Sequence, residues 1–252
     1  MDLSEKNTTY YFISDIHLGT GQSESRQNLI DFLKHIQKKS SVLYIVGDLF
    51  DFWFEYKSVI PRKYFNILFA LKRMRDQNIK INYVTGNHDF WMNNFWEEQV
   101  GVVVHKNPFE FESNGKKFYI AHGDGLAKKD IGYRILKRIL RHPFNVRLFR
   151  LVHPDLGFAA ARFFSRLSRN HRVFQDEDVE YIAFAKARFE EGFDCVLMGH
   201  THRPCVCHEK DQIYVNTGDW IDHFSYAEFN GERLMLKYWK KDPPKVKPGL
   251  NF

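Results

Sequence analysis

Cysteine is scarce in this chain, at three in 252 residues: Cys195, Cys205 and Cys207. An odd count without paired C-x-x-C spacing excludes a disulfide framework and a four-thiolate zinc site, and fits reduced thiols in a reducing compartment. The pair Cys205-x-Cys207 could ligate a metal, but a second pair is missing. No apolar run reaches the roughly 18–20 residues that a membrane-spanning helix needs. Residues 1–10 are polar and lack the apolar stretch of a secretory signal. Internal repeats and low-complexity tracts are also missing. A cytoplasmic protein without a transmembrane segment is the expectation.

What is plentiful is apolar and aromatic: 44% hydrophobic and 16% aromatic residues, enough for a sizeable core. Positive charge is plentiful in one place. Residues 126–172 carry twelve Lys or Arg against Asp130 and Asp155, a balance of +10 in a chain of net +6, which leaves −4 for the remainder. Such concentration implies a localised anionic partner, either a membrane surface, a phosphorylated ligand or nucleic acid.

The run Val46-Gly47-Asp48-Leu49-Phe50-Asp51-Phe52-Trp53 organises the rest. An apolar strand, 42–46, delivers a carboxylate, and a buried carboxylate requires a cation, hydrogen-bond donors or solvent. Other apolar strands end alike: 10–14 before Asp15 and His17, 81–84 before Asn87 and His88, 118–121 before His122, and 195–198 before His200 and His202. In extended backbone, residues two apart share a face, so Asp15 with His17 can address one ion. Between these strands, helical periodicity predicts helices over 28–39, from Pro61 to Arg75, and over 178–191. Short strands are expected at 100–104, 213–216, 226–229 and 234–238, with a hairpin about Asn114-Gly115.

Alternating strands and helices indicate an α/β fold, and ligands at strand C-termini converge on one rim. The donor set is carboxylate, imidazole and one amide, which suits Mn²⁺, Fe²⁺, Zn²⁺ or Mg²⁺. Seven donors exceed the needs of one ion but fit two ions sharing a carboxylate. Two such ions form a clamp for in-line displacement at phosphorus.

Asp15-x-His17, Gly47-Asp48-x-x-Asp51, Gly86-Asn87-His88-Asp89, His122-Gly123-Asp124 and Gly199-His200-Thr201-His202 together resemble the calcineurin-like metallophosphoesterases, from about residue 10 to residue 220. The resemblance implies a four-layer αββα sandwich of two mixed sheets, in one domain over 1–252. It implies Asp15, His17, Asp48 and His202 around a first metal, and Asp48, Asn87, His122 and His200 around a second, with Mn²⁺ the expected ion. His88 matches the histidine that contacts the scissile phosphate and protonates the leaving oxygen. Within that family, Leu49-Phe50-Asp51-Phe52-Trp53, Asp130-Ile131-Gly132-Tyr133 and His202-Arg203-Pro204 are similar to the hydrolases that split UDP-2,3-diacylglucosamine in lipid A synthesis. Those hydrolases carry arginine where this chain has His88, and histidine is the pattern of the wider family.

The same hydrolases carry a helical cap after the His-Gly-Asp motif, expected here over 126–180. Its stretch from Gly132 to about Arg172 is helical, basic and apolar at once, interrupted at Pro143, Pro154 and Gly157. Two arrangements suit it: a cap whose inner face receives acyl chains, or helices packed on the core with a basic, solvated outer face. Basic charge beside apolar surface also suits docking on the cytoplasmic face of an anionic membrane. Asp124, Asp130, Tyr133, Arg169, Asn170 and Arg172 are the candidate contacts for sugar, phosphate or nucleotide. Trp53, Trp91 and Trp96 are expected in the core, and Trp220 in the core or on the rim. Residues 240–252 are expected to form a loose tail. The resulting expectation is a hydrolase for a nucleotide-lipid at the inner membrane, with no obligate nucleic acid and no identifiable protein partner. The alternatives are a phosphoesterase for nucleotides, phosphodiesters or nucleic acid, and a non-catalytic interaction module.

Overall fold

The computed structural model describes residues 8–19, 23–39, 41–126, 131–169 and 177–240. Four parallel strands, β1 (Thr9–Ile13), β2 (Ser41–Val46), β3 (Lys80–Val84) and β4 (Val103–His105), form most of the first sheet. The antiparallel strands β10 (Ser225–Phe229) and β11 (Leu234–Tyr238) extend it beyond β1, in the order β11-β10-β1-β2-β3-β4. The second sheet has the order β5-β6-β7-β9-β8. Its centre, β6 (Lys116–Ile120), β7 (Cys195–Met198) and β9 (Gln212–Asn216), is parallel, and its edges, β5 (Phe109–Ser113) and β8 (Cys205–Glu209), are antiparallel.

The layering follows from which faces are apolar. β2, Ser-Val-Leu-Tyr-Ile-Val, is buried at every position, as a parallel strand covered on both faces must be. Leu43 and Ile45 face α1 (Ser23–Ile36) and α2 (Phe65–Asp76), which cover the outside of the first sheet. Val42, Tyr44 and Val46 face the second sheet, where Phe12, Phe118, Leu197, Val215 and Phe229 fill the gap. The outer face of the second sheet is covered by α6 (Glu177–Glu190) through Tyr181, Ile182, Ala185 and Phe189. Two mixed sheets between helical layers are the expected αββα architecture.

Several boundaries differ from expectation for local reasons. A 3-10 turn, Arg62–Tyr64, separates Pro61 from α2. A π-helical turn, Trp96–Val100, precedes β4 and ends at Gly101, whose φ of 83° is left-handed. Strand β8 carries no clear alternation, with burial running half-buried, half-buried, buried, exposed, half-buried, so it escaped a period-two reading.

The insertion divides into α3 (Ile131–Arg141), α4 (Pro143–Phe149) and α5 (Pro154–Arg169). Gly157 lies inside α5 and does not interrupt it. A Cβ there would stand 2.6 Å from Tyr56 Oη and 3.1 Å from a Phe149 ring carbon, so close approach of α5 to the core explains the glycine. Phe52, Phe54 and Tyr56 anchor this unit, packing with Trp91, Val146, Phe149 and Phe158. The run after Asp48 therefore serves two neighbourhoods: Phe50 and Trp53 go into the core, and Phe52 and Phe54 go to the helices. Trp53, Trp96 and Trp220 are core residues. Trp91 is only half-buried and stacks on Phe149 of α4, at 6.2 Å between centroids.

Candidate metal centre

Five of the seven predicted metal-binding residues have left-handed backbone: Asp15 (φ 52°), His17 (48°), Asp48 (53°), His200 (69°) and His202 (60°). Asp15 and His17 therefore do not share a face through strand alternation. They lie past the end of β1, in a turn fixed by neighbouring strand ends: Asp15 N donates to Gly47 O, and both Ile16 N and His17 N donate to Asp48 O. His200 N donates in turn to Asp15 Oδ2 at 2.8 Å. Left-handed conformation at a non-glycine residue costs on the order of 1–3 kcal/mol and persists where surroundings over-determine it. Gly47 and Gly86 make room for this crossing: a Cβ on Gly47 would lie 2.3 Å from His122 Nδ1, and one on Gly86 2.1 Å from Asp48 Oδ1.

Three groups of side chains converge, each with ligand atoms within 4.8 Å of one another: Asp15, His17 and His202; His17, Asp48 and His88; Asp48, His122 and His200. In the first group, Nε2 of His17 and Nε2 of His202 are 3.2 Å apart, and Asp15 Oδ1 lies 3.7 and 3.4 Å from them. That oxygen is buried and accepts no hydrogen bond among the described residues. In the third group, His122 Nε2 is 3.3 Å from Asp48 Oδ2, 3.3 Å from His200 Nδ1 and 3.2 Å from Asn87 Oδ1. His122 Nδ1 faces Val46 O at 2.9 Å, which fixes the ring and leaves Nε2 for the centre. Burial opposes charge on Asp48, yet His122, His88 and His17 pull its carboxyl well below the usual range. Burial likewise disfavours imidazolium at His122, but Asp48 outweighs it and lifts the ring to about 10. Imidazole must be neutral to ligate, so a divalent cation competes directly with that proton. The unpaired Asp15 oxygen, clustered imidazoles and all-oxygen-and-nitrogen donor set fit two divalent ions.

His88 stands beside the centre. Its Nδ1 is 2.8 Å from Asp51 O, which accepts the N–H, and its Nε2 is 3.9 Å from Asp48 Oδ2. Asp89 braces the same loop by accepting from Gly86 N, Leu49 N and the Tyr83 hydroxyl.

Of the predicted substrate contacts, Asp124 and Tyr133 come together: Tyr133 Oη donates to Asp124 Oδ2 at 2.8 Å. Asp130, Asn170 and Arg172 lie outside the described residues, as does the side chain of Arg169. Two residues not singled out for the site join Asp124. Lys137 Nζ is 2.5 Å from its Oδ2, and Arg141 Nη2 is 3.6 Å from the same oxygen and donates to Gly86 O at 3.2 Å. Burial raises the Asp124 carboxyl, but His122 and Lys137 outweigh burial and hold it at about 2. The spacing i, i+4, i+8 of Tyr133, Lys137 and Arg141 is the helical signal that marks them as one stripe. A further unforeseen residue is Asp219: its Oδ2 pairs with His223 Nδ1 at 2.8 Å and lies 4.0 Å from His202 Nδ1.

The inward side of α3 is polar. On α3 only Tyr133, Lys137 and Arg141 are shielded, while Ile131, Ile135, Leu136, Ile139 and Leu140 face outward. The helix is inverted, with Lys137 and Arg141 toward the centre and its apolar residues toward solvent, beside Arg134 and Arg138. No helix among the described residues is long and apolar enough to cross a membrane.

Comparison with known proteins gives the same picture. The Calcineurin-like phosphoesterase family matches residues 8–204. A UDP-2,3-diacylglucosamine hydrolase from Porphyromonas gingivalis is 31% identical over 252 aligned positions, covering 90% of this chain and 96% of that protein. Its namesake from Nitrosococcus oceani is 31% identical, covering 79% and 80% of the two chains, and that from Haemophilus ducreyi is 27% identical, covering 84% and 92%. Membership implies divalent metal ions, for which the converging residues are in place. With its sheets, its strand-end donors and these matches taken together, the chain belongs to the calcineurin-like phosphoesterases and is a metal-dependent hydrolase.

Proposed function

We propose that this protein cleaves the diphosphate of UDP-2,3-diacylglucosamine to UMP and 2,3-diacylglucosamine 1-phosphate in lipid A synthesis. The relatives' names point to that substrate. The observation in this chain that carries the lipid half is the inverted α3. Its five outward apolar residues are 41–60% exposed, and Phe144 and Leu148 of α4 and Leu151 just after it are exposed as well. Contiguous apolar surface of this kind marks an interaction site. With Arg134, Arg138 and Arg147 exposed along it, the surface suits an anionic bilayer. The segment 126–180 then acts as a cap that holds the enzyme on the cytoplasmic face of the inner membrane, where the lipid substrate resides.

In this reading Asp15, His17, Asp48 and His202 hold one ion, and Asp48, Asn87, His122 and His200 the other, with Mn²⁺ as the working metal. When bound, the two ions polarise the phosphoryl oxygens and supply a nucleophile at neutral pH. Asp48 is the shared ligand, and Asp15, through His200 N, keeps the two imidazole pairs in register. Attack falls on the UMP phosphorus: a new P–O bond forms there, and the bridging P–O bond breaks with its electrons on the lipid phosphate. His88 has its Nδ1–H committed to Asp51 O. Its Nε2, when protonated, faces the centre and donates to the departing oxygen.

The test is product analysis. Mn²⁺-loaded protein should release UMP from UDP-2,3-diacylglucosamine faster than it turns over cyclic nucleotides or single-stranded DNA. The opposite order would favour a nucleotide or nucleic-acid phosphodiesterase. Absence of bound metal together with inertness toward every phosphoester would point to a non-catalytic module.

A further inference from the structure

Orientation of α3 presents a physical problem beyond lipid binding. Folding alone favours isoleucine inward and lysine outward, because shielding a cation costs free energy and exposing aliphatic surface forgoes it. Here Lys137 and Arg141 have side chains only 26% and 27% exposed, against 58% for Ile135 and 52% for Ile139. Something at the centre must repay that inversion. Asp124 does so only in part: one carboxylate is shared by Lys137, Arg141 and the Tyr133 hydroxyl, which leaves a surplus positive charge among the described residues. Arg141 Nε, buried, has no hydrogen-bond partner among the described residues.

The two cations are fixed against two of the loops that carry the proposed second metal's ligands, those of His122 and Asn87. Lys137 Nζ also donates to Asp124 O, at 3.3 Å, two residues past His122. Arg141 reaches Gly86 O, next to Asn87, and its guanidinium lies over the Phe90 ring at 4.2 Å, which limits its freedom.

We propose that Lys137 and Arg141 form the subsite for the second phosphoryl group of the substrate, the one not under attack. The inference rests on the reading above that the substrate is a diphosphate diester. Such a substrate carries a negative charge on each phosphorus. The metal-binding residues of the centre would serve the phosphoryl under attack, and its neighbour, one bridging oxygen away, requires cations of its own. Asp124 holds Lys137 and Arg141 in place and acts as their counter-ion until the diphosphate arrives. The subsite selects a diphosphate over a simple phosphodiester, a distinction that the metal ligands alone do not provide.

Binding of the α,β-methylene analogue of UDP, whose P–C–P bridge resists hydrolysis, tests this in calorimetry on the full-length Mn²⁺-loaded protein, with UMP as comparison. Lys137→Met and Arg141→Met should each weaken the diphosphonate roughly tenfold, the scale of one charge-assisted contact. UMP affinity should change less than about twofold. Arg73→Met, on the exposed side of α2, should leave diphosphonate affinity as it is. Equal losses for both ligands would show that the variants merely disturb the centre, and unchanged diphosphonate affinity would show that no such subsite exists. Either result overturns the proposal. Wild-type protein that prefers the diphosphonate through these residues yet releases no UMP from the lipid substrate would contradict the lipid reading and support the subsite.

Discussion

His122 Nε2 lies 3.3 Å from Asp48 Oδ2. The same oxygen is 3.8 Å from His17 Nε2 on the other side of the centre, so one carboxylate faces both groups of imidazoles. Asp48→Ala should therefore abolish binding of both ions, whereas His17→Ala should mainly weaken one. Elemental analysis of the purified variants reads this directly. Two ions per chain and normal turnover in Asp48→Ala would contradict a shared ligand.

In the proposed reaction His88 serves the leaving group. His88→Gln should keep both ions and lower kcat by about 10²–10⁴, the usual worth of a general acid. The loss should be larger for an alkyl phosphodiester, whose leaving oxygen needs a proton, than for a nitrophenyl ester, whose leaving oxygen does not. Equal losses on both substrates would argue for a different role.

Asp219 organises the loop behind His202. Its Oδ1 accepts from the backbone N–H groups of Ile221, Asp222 and His223. Burial raises its carboxyl, but the His223 pair and these N–H groups outweigh burial and bring it to about 2. A depressed carboxylate adds stability that is complete above the unfolded value near 3.8 and fades as pH falls toward 2. Asp219→Ala should destabilise the fold by about 2 kcal/mol at neutral pH, and Asp219→Asn should flatten the acid limb of a thermal-melt series between those two values.

The outward face of α3 should govern membrane binding. Replacing Ile135 and Ile139, 58% and 52% exposed, by glutamate should reduce sedimentation with anionic vesicles about tenfold or more. Thermal stability should move by no more than about 0.5 kcal/mol per site, as exposed positions do. Wild-type binding should fall with added salt. Undiminished vesicle binding by the double variant would place the docking surface elsewhere.

The sequence made the donors legible because each follows an apolar strand, and strand ends of a parallel sheet meet on one rim. Asp15, Asp48, His122 and His202 could be placed without coordinates for that reason. Their left-handed backbone could not, since φ near 50° at Asp15 and Asp48 arises from crossing hydrogen bonds between distant turns. The orientation of α3 was hidden as well. Hydrophobic periodicity finds an amphipathic helix but assumes its apolar side is inward, and Lys137 and Arg141 reverse that because Asp124 waits beneath them. Asp219 carried no motif, and its place near His202 depends on the turn after β9.

The most direct test of the account is hydrolysis of UDP-2,3-diacylglucosamine in ¹⁸O-water by the Mn²⁺-loaded enzyme, with both products weighed by mass spectrometry. Attack on the UMP phosphorus predicts one heavy oxygen in UMP and none in the lipid 1-phosphate. Label in the lipid phosphate, or no UMP at all, would contradict it.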